Sequence, residues 1–276
     1  MHDFSQVDVF TDELTKGNPL AVVHNADDLS DDQLSAIANW TNLSETTFLL
    51  RPTDQAADYR VRIFTVESEL PFAGHPTLGS AAAWLAAGGV SRDPARIVQQ
   101  CGVGLVPIRT DGSRLAFAAP PPLRSGPVAR NDLAALIRWL GVEPTDLLDA
   151  QWADNGPGWV GLLLRDAETV LRLRPDGPGP LPAVGVIGRY PPGSECDVEV
   201  RALFGVAGSV MEDPVTGSLN ASLAQWLIGS GQLPCSYLAS QGTVLGRRGR
   251  VHVHADGGDI WVGGQVAAGV TGTIAV

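Results

Sequence analysis

Trp84-Leu85-Ala86-Ala87-Gly88-Gly89 returns 142 positions later as Trp226-Leu227-Ile228-Gly229-Ser230-Gly231, and Ser80 and Ala82 meet Ser222 and Ala224 at the same offset. On either side, Val61-Arg62-Ile63-Phe64 resembles Val200-Arg201-Ala202-Leu203-Phe204, Gly17-Asn18-Pro19 resembles Asn155-Gly156-Pro157, and Gln99 to Gly102 parallels Gln241-Gly242. Each match is short and built of common residues, and chance similarity would explain any one of them. They nevertheless keep their order at offsets between 138 and 142, about half of the 276-residue chain. Self-similarity at one long period marks a duplicated unit. The expected architecture is therefore two copies of a strand-rich lobe, each with a loop that opens into a central helix.

Local patterns fill in that frame. Val7 to Phe10 and Leu20 to His24 read as strands around the Lys16-Gly17-Asn18-Pro19 turn, and Thr46 to Leu50 and Tyr59 to Thr65 are β-branched or alternating. Ser30-Asp31-Asp32-Gln33 is a capping box before Leu34, Ile37 and Ala38. The spacing predicts a helix over 77–87 that stops at Gly88-Gly89, and another over 131–140. The proline-rich stretch Ala119-Pro120-Pro121-Pro122 marks a boundary, giving an N-terminal lobe 1–119 and a C-terminal lobe 120–276, the last strand free to return to the first lobe.

Composition removes several function classes. Lys16 is the only lysine among 19 basic residues, and it sits in a Thr-Lys-Gly-Asn-Pro turn, a poor place for a phosphate loop or a Schiff base. A net charge of −11 without a basic run argues against a nucleic-acid partner, because phosphate neutralisation supplies most of that affinity. The start, Met-His-Asp-Phe-Ser-Gln-Val-Asp, lacks the pattern of a signal peptide, and Leu78 to Val90 is too short and too rich in Ala and Gly to span a bilayer. Three scattered cysteines read as reduced thiols, so no membrane partner and a cytoplasmic location are expected.

The two helix entrances carry the chemistry. One is Glu69-Leu70-Pro71-Phe72-Ala73-Gly74-His75-Pro76-Thr77-Leu78-Gly79, the other Met211-Glu212-Asp213-Pro214-Val215-Thr216-Gly217-Ser218. Both place glycine and a hydroxyl residue where helix amides lack partners, a geometry suited to a carboxylate or an enolate oxygen. Plain capping would explain either loop alone. As a repeated pair they are expected to converge on one cleft, with His75 and Asp213 on its opposite walls and a small anionic substrate between.

Gly74-His75-Pro76-Thr77-Leu78-Gly79, Glu212-Asp213-Pro214-Val215-Thr216-Gly217-Ser218 and Asn42-Leu43-Ser44-Glu45-Thr46-Thr47-Phe48 resemble the PhzF phenazine-biosynthesis family. Asp8-Val9-Phe10-Thr11 with Gly17-Asn18-Pro19-Leu20-Ala21-Val22 is similar to its N-terminal signature. Ser240-Gln241-Gly242 with Leu245-Gly246-Arg247 and Gly249-Arg250 is similar to its closing segment. About 92–198 is generic.

The resemblance implies an α/β (α+β) protein of diaminopimelate-epimerase-like fold: two pseudo-symmetric lobes, each a β-barrel-like sheet around a central helix. It also implies a homodimer and an isomerase without cofactor or metal, acting in secondary metabolite biosynthesis. Carried over by position, Glu45 matches the family's general acid/base, His75 its histidine and Asp213 its aspartate. Ser44, Gly74, Gly217 and Ser218 match positions that bind substrate. Thr65-Val66-Glu67-Ser68 departs from the family, which usually has proline after the threonine.

That chemistry is physically reasonable. Glu45 ends a turn before an apolar strand, and partial burial there would raise its pKa enough for one carboxyl to take and return a proton. Neither helix entrance holds a cysteine, which argues against two-thiol racemisation; Cys101 and Cys235 read as buried fillers. His252-Val253-His254 with Asp256 fits a metal pair on one strand face, and alternation on a solvated strand fits equally well. The dispersed tryptophans read as core or dimer-interface residues. The rival to an isomerase is a member of the same fold that binds a small molecule or another protein without catalysis.

Overall fold

A computed structural model describes residues 1–206 and 208–276. The chain divides into two compact units, residues 1–118 with 263–276, and residues 119–262.

The first unit runs β1 (His2–Val9), β2 (Asn18–Val23), α1 (Asp31–Thr41), β3 (Thr46–Leu50), β4 (Tyr59–Phe64), β5 (Glu69–Leu70), α2 (Gly74–Ala86), β6 (Arg96–Cys101), β7 (Gly104–Asp111) and β8 (Arg114–Ala118). The chain's last strand, Val266–Ile274, lies antiparallel to β1. Pairing is antiparallel for β1/β2, parallel for β2/β3, antiparallel for β3/β4 and β4/β5, parallel for β4/β6, and antiparallel for β6/β7 and β7/β8. The capping box forms, with Ser30 accepting from the Gln33 amide and Gln33 accepting from the Ser30 amide. It starts a helix that buries Leu34, Ile37 and Ala38 against Val23, Phe48 and Phe64. Phe48 and Phe64 meet edge to face.

The second unit contains β9 (Arg124–Pro127), α3 (Arg130–Leu140), β10 (Leu147–Asp154), β11 (Trp159–Leu164), α4 (Ala167–Arg172), β12 (Ala183–Arg189), β13 (Val198–Val206), β14 (Ser209–Asp213), α5 (Gly217–Gly229), β15 (Ser236–Gln241), β16 (Gly249–Asp256) and β17 (Asp259–Gly264). From β10 onward the ladder repeats the first unit step by step. It is antiparallel for β10/β11, parallel for β11/β12, antiparallel for β12/β13 and β13/β14, parallel for β13/β15 and antiparallel for β15/β16. The sequence matches mark this duplication: Val61 to Phe64 lies in β4 and Val200 to Phe204 in β13. Leu136, Leu140, Val160, Leu162, Val170, Val184 and Val186 form a core between this sheet and the helices α3 and α4.

In each unit the sheet curls around one central helix, α2 or α5, of 13 residues each. Both are apolar on nearly every side, as a helix enclosed by its sheet must be. The close approach is solved differently in the two units. In the first, the helix supplies the space: a Cβ on Gly79 would lie 2.5 Å from Leu20 Cδ2 and 2.9 Å from Val9 Cγ2. In the second, the strands supply it. A Cβ on Gly161 of β11 would lie 2.8 Å from the Trp226 ring, and one on Gly185 of β12 would collide with Leu219. The fold is α/β with two topologically equivalent units of the diaminopimelate-epimerase-like type.

Several local expectations change. The central helix of the first unit starts at Gly74, three residues before the expected Thr77, so His75-Pro76 belongs to its first turn. Proline is tolerated there because the first helix amides have no intrahelical partner in any case; the first bond runs from Thr77 N to Ala73 O at 3.1 Å. Cys235 is exposed and Cys101 half-buried, while Cys196 is the buried thiol. Cys235 lies in the turn between α5 and β15, outside the enclosed helix. Trp40 is exposed at the end of α1, unlike Trp159 and Trp226. On β16, Val251 and Val253 face inward and His252 and His254 outward, His252 half-buried and His254 exposed. Among the described residues no cluster of three His, Cys, Asp or Glu side chains is placed to hold a metal ion.

Candidate active site

The expected residues fall into two groups, one in each unit. In the first, Glu45 stands on the turn between α1 and β3, and its side chain is 15% exposed. Its Oε2 lies 3.3 Å from Nε2 of His75, the second residue of α2. His75 is buried at 5% exposure, and burial pushes its pKa down to about 3. The imidazole is therefore neutral at pH 7 and carries one ring hydrogen. Gly74, the first residue of α2, is buried beside it, and the helix has no side-chain cap because Ala73 holds the capping position. The amides of Gly74 and His75 thus leave the positive end of α2 unscreened by a side chain. Ser44 is exposed on the same turn as Glu45.

A third side chain, given no role from sequence, completes this group. Asn18 is fully buried at the start of β2, and its Nδ2 reaches Nδ1 of His75 at 3.4 Å. The turn before it is fixed by Asp8, whose Oδ2 accepts from the amides of Lys16 at 2.9 Å and Gly17 at 3.1 Å. The only lysine thus contributes its backbone amide to the turn.

In the second unit, Asp213 ends β14, and its Oδ2 accepts from Thr216 Oγ1 at 2.5 Å. Behind them lies Gln241, fully buried at the end of β15. Its Nε2 donates to Thr216 Oγ1 at 2.9 Å and to the Asp213 carbonyl at 3.2 Å. Its Oε1 accepts from the Thr216 amide at 3.0 Å and from Asn220 Nδ2 at 2.8 Å. One side chain therefore ties the end of β14 to the first turn of α5. The signal was present in the Ser240-Gln241-Gly242 segment, yet a glutamine that holds other residues in place has no signature of its own. Gln99 occupies the same position in the first unit, donating to Thr77 of α2 at 3.0 Å.

Gly217 and Ser218 are the first two residues of α5, whose capping Thr216 spends its hydroxyl on Asp213 rather than on the helix amides. Ser218 Oγ accepts from the Trp159 indole at 3.2 Å, which directs its own hydrogen elsewhere. Ser218 and His75 are equivalent, each the second residue of an uncapped central helix.

Two duplicated α/β units, each with an uncapped central helix, and a carboxylate–imidazole contact at one of them, define a protein of epimerase-like fold. The family model described as phenazine biosynthesis-like protein matches residues 7–274, and the chain belongs to this PhzC-PhzF family. It is 34% identical to the trans-2,3-dihydro-3-hydroxyanthranilate isomerase of Pseudomonas aeruginosa, covering 93% of this chain and 91% of that one. It is 35% identical to antisense-enhancing sequence 1 of Schizosaccharomyces pombe, covering 98% of each. The crystal structure of a PhzF-family protein from Enterococcus faecalis superposes with a TM-score of 0.79 at 25% identity, over 100% of this chain and 99% of that one. No helix among the described residues is long and apolar enough to cross a membrane.

Proposed function

We propose that the protein is a cofactor-independent isomerase that moves a proton, and with it a double bond, in a small conjugated or cyclic amino or carboxylic acid of secondary metabolism. The contact between Glu45 and a neutral His75 carries this reading. A neutral imidazole orients the carboxylate without cancelling its charge, which leaves Glu45 a base. Glu45 removes a proton from a carbon next to the conjugated system, and the C–H electron pair shifts into a new double bond, giving a dienolate. The same carboxyl then returns the proton to another carbon, so that no oxidant, reductant or group donor is consumed. Positioned proton transfer of this kind contributes about 10²–10⁴ in rate. Each unit offers donors for a developing negative charge at its own central helix, the Gly74 amide in the first and the Gly217 amide and Ser218 hydroxyl, beside Asp213, in the second.

The test uses trans-2,3-dihydro-3-hydroxyanthranilate, the compound named for the Pseudomonas relative, in deuterium oxide. Isomerised product carrying solvent deuterium is expected from the unaltered protein and not from Glu45→Gln with its fold intact. Full activity of Glu45→Gln would overturn the mechanism. Binding of this and related dihydroaromatic acids without any exchange would point to the non-catalytic alternative.

A further inference from the structure

We infer that Asn18 is a positioning residue that fixes His75 in the tautomer with its hydrogen on Nε2, so that the ring turns an N–H rather than a lone pair toward Glu45. The kinetic consequence rests on the function proposed above; the tautomer itself does not.

The argument is one of donors and acceptors. The side-chain nitrogen of Asn18 carries only hydrogens and can only donate. It lies 3.4 Å from Nδ1 of His75, so Nδ1 is the bare ring nitrogen. A neutral imidazole has a single N–H, which is then on Nε2, the atom 3.3 Å from Glu45 Oε2. With the opposite tautomer a lone pair would face the carboxylate, an arrangement that only a protonated carboxyl relieves. Asn18 thus favours the ionised Glu45 that a base requires.

Asn18 is itself held firmly. It is fully buried, and the Asp8 carboxylate pins the two amides before it. The second unit supplies an independent parallel. Asn155, on the turn before β11, donates from Nδ2 to the Ser218 carbonyl at 2.9 Å. In both units an asparagine at the start of the second strand or on the turn before it reaches the second residue of the central helix. The duplicated contact positions that residue, and in the first unit alone the residue is a histidine whose tautomer the contact also selects.

The experiment is a long-range proton–nitrogen correlation spectrum of the full chain labelled with ¹⁵N-histidine, with His75→Asn used to assign the signal. The unaltered protein should show His75 with a bare Nδ1 and a protonated Nε2. Asn18→Asp replaces the donor with an acceptor and should move the hydrogen to Nδ1, with loss of isomerase turnover. Asn18→Ala should give a mixture of tautomers at an unchanged fold. A protonated Nδ1 in the unaltered protein overturns the inference even if both variants fail to fold. An Nε2–H form that persists in both folded variants does so as well. Activity lost in Asn18→Asp without a change of tautomer assigns Asn18 a packing role only. A changed tautomer together with an active Glu45→Gln would keep this inference and remove the proposed mechanism.

Discussion

Arg201 grips Glu212 through two parallel hydrogen bonds, Nε to Oε1 at 3.0 Å and Nη2 to Oε2 at 2.7 Å. Its remaining nitrogen, Nη1, donates to the Val170 and Leu173 carbonyls at the end of α4. Arg62 holds Glu69 in the same bidentate way, at 2.8 and 2.7 Å, on the equivalent strands β4 and β5. The motif is one duplicated device in two solvent settings. The Arg201 and Glu212 side chains are 4% and 10% exposed, while those of Arg62 and Glu69 are 19% and 41% exposed.

That difference sets the first expectation. Arg201→Ala strands a buried carboxylate and two helix carbonyls and should cost about 3–5 kcal/mol. Arg62→Ala, whose partners reach solvent, should cost about 1 kcal/mol or less. Urea unfolding of both variants checks the ordering, and equal losses would contradict the role of burial.

Loss of the Glu45 base should slow isomerisation by at least about 10²-fold in Glu45→Gln. The amide is nearly isosteric with the carboxylate, so the melting temperature should change little. Stopped-assay product analysis and a thermal melt on the same preparation separate chemistry from folding.

Acid should weaken the fold through His75. Its pKa is pushed from 6.5 to about 3 by burial, so between those values the unfolded chain binds the proton and the folded one does not. Stability from this residue is complete above pH 6.5 and falls with decreasing pH by up to about 1.4 kcal/mol per unit. Burial lowers His24 as well, so His75→Asn should remove part of the slope and leave the remainder. Denaturant midpoints measured from pH 7 to pH 4.5 report it; an unchanged slope in His75→Asn would show that the ring protonates freely in the fold.

Gly79→Ala should destabilise the first unit by about 1–3 kcal/mol, since the new methyl meets Leu20, Val9 and Val7 in an enclosed space. Adding Leu20→Ala should recover part of that loss if the clash is its source. Chemical denaturation of the single and double variants gives the coupling.

Much of this architecture was legible because duplication leaves its mark on sequence. The matches around Trp84 and Trp226 and around Arg62 and Arg201 mark equivalent helices and strands. Glu45, His75, Asp213, Gly217 and Ser218 stood in recognisable motifs, and the structure places Glu45 with His75 in one group and the other three in a second. What sequence left hidden was support. Asn18 and Gln241 act through other residues, and Trp159 acts through its indole hydrogen. Their chemistry appears only when distant segments touch, because nothing in a lone asparagine or glutamine says which group it will face. The early start of α2 was hidden for a related reason: His75-Pro76 looks like a turn until the unpaired first amides of a helix are counted.

The opposite placement of space in the two units has a consequence for their history. One unit put its glycine on the helix and kept bulk on the strands; the other put its glycines on β11 and β12 and kept Leu219, Leu223 and Trp226 on the helix. The halves still share a blueprint, but their parts are no longer interchangeable. Seating α5 in the first sheet would press bulk against bulk, and seating α2 in the second would leave a void. Each half has become the sole mould for its own helix, so any further change at one of these glycines must be matched on the facing element within the same half.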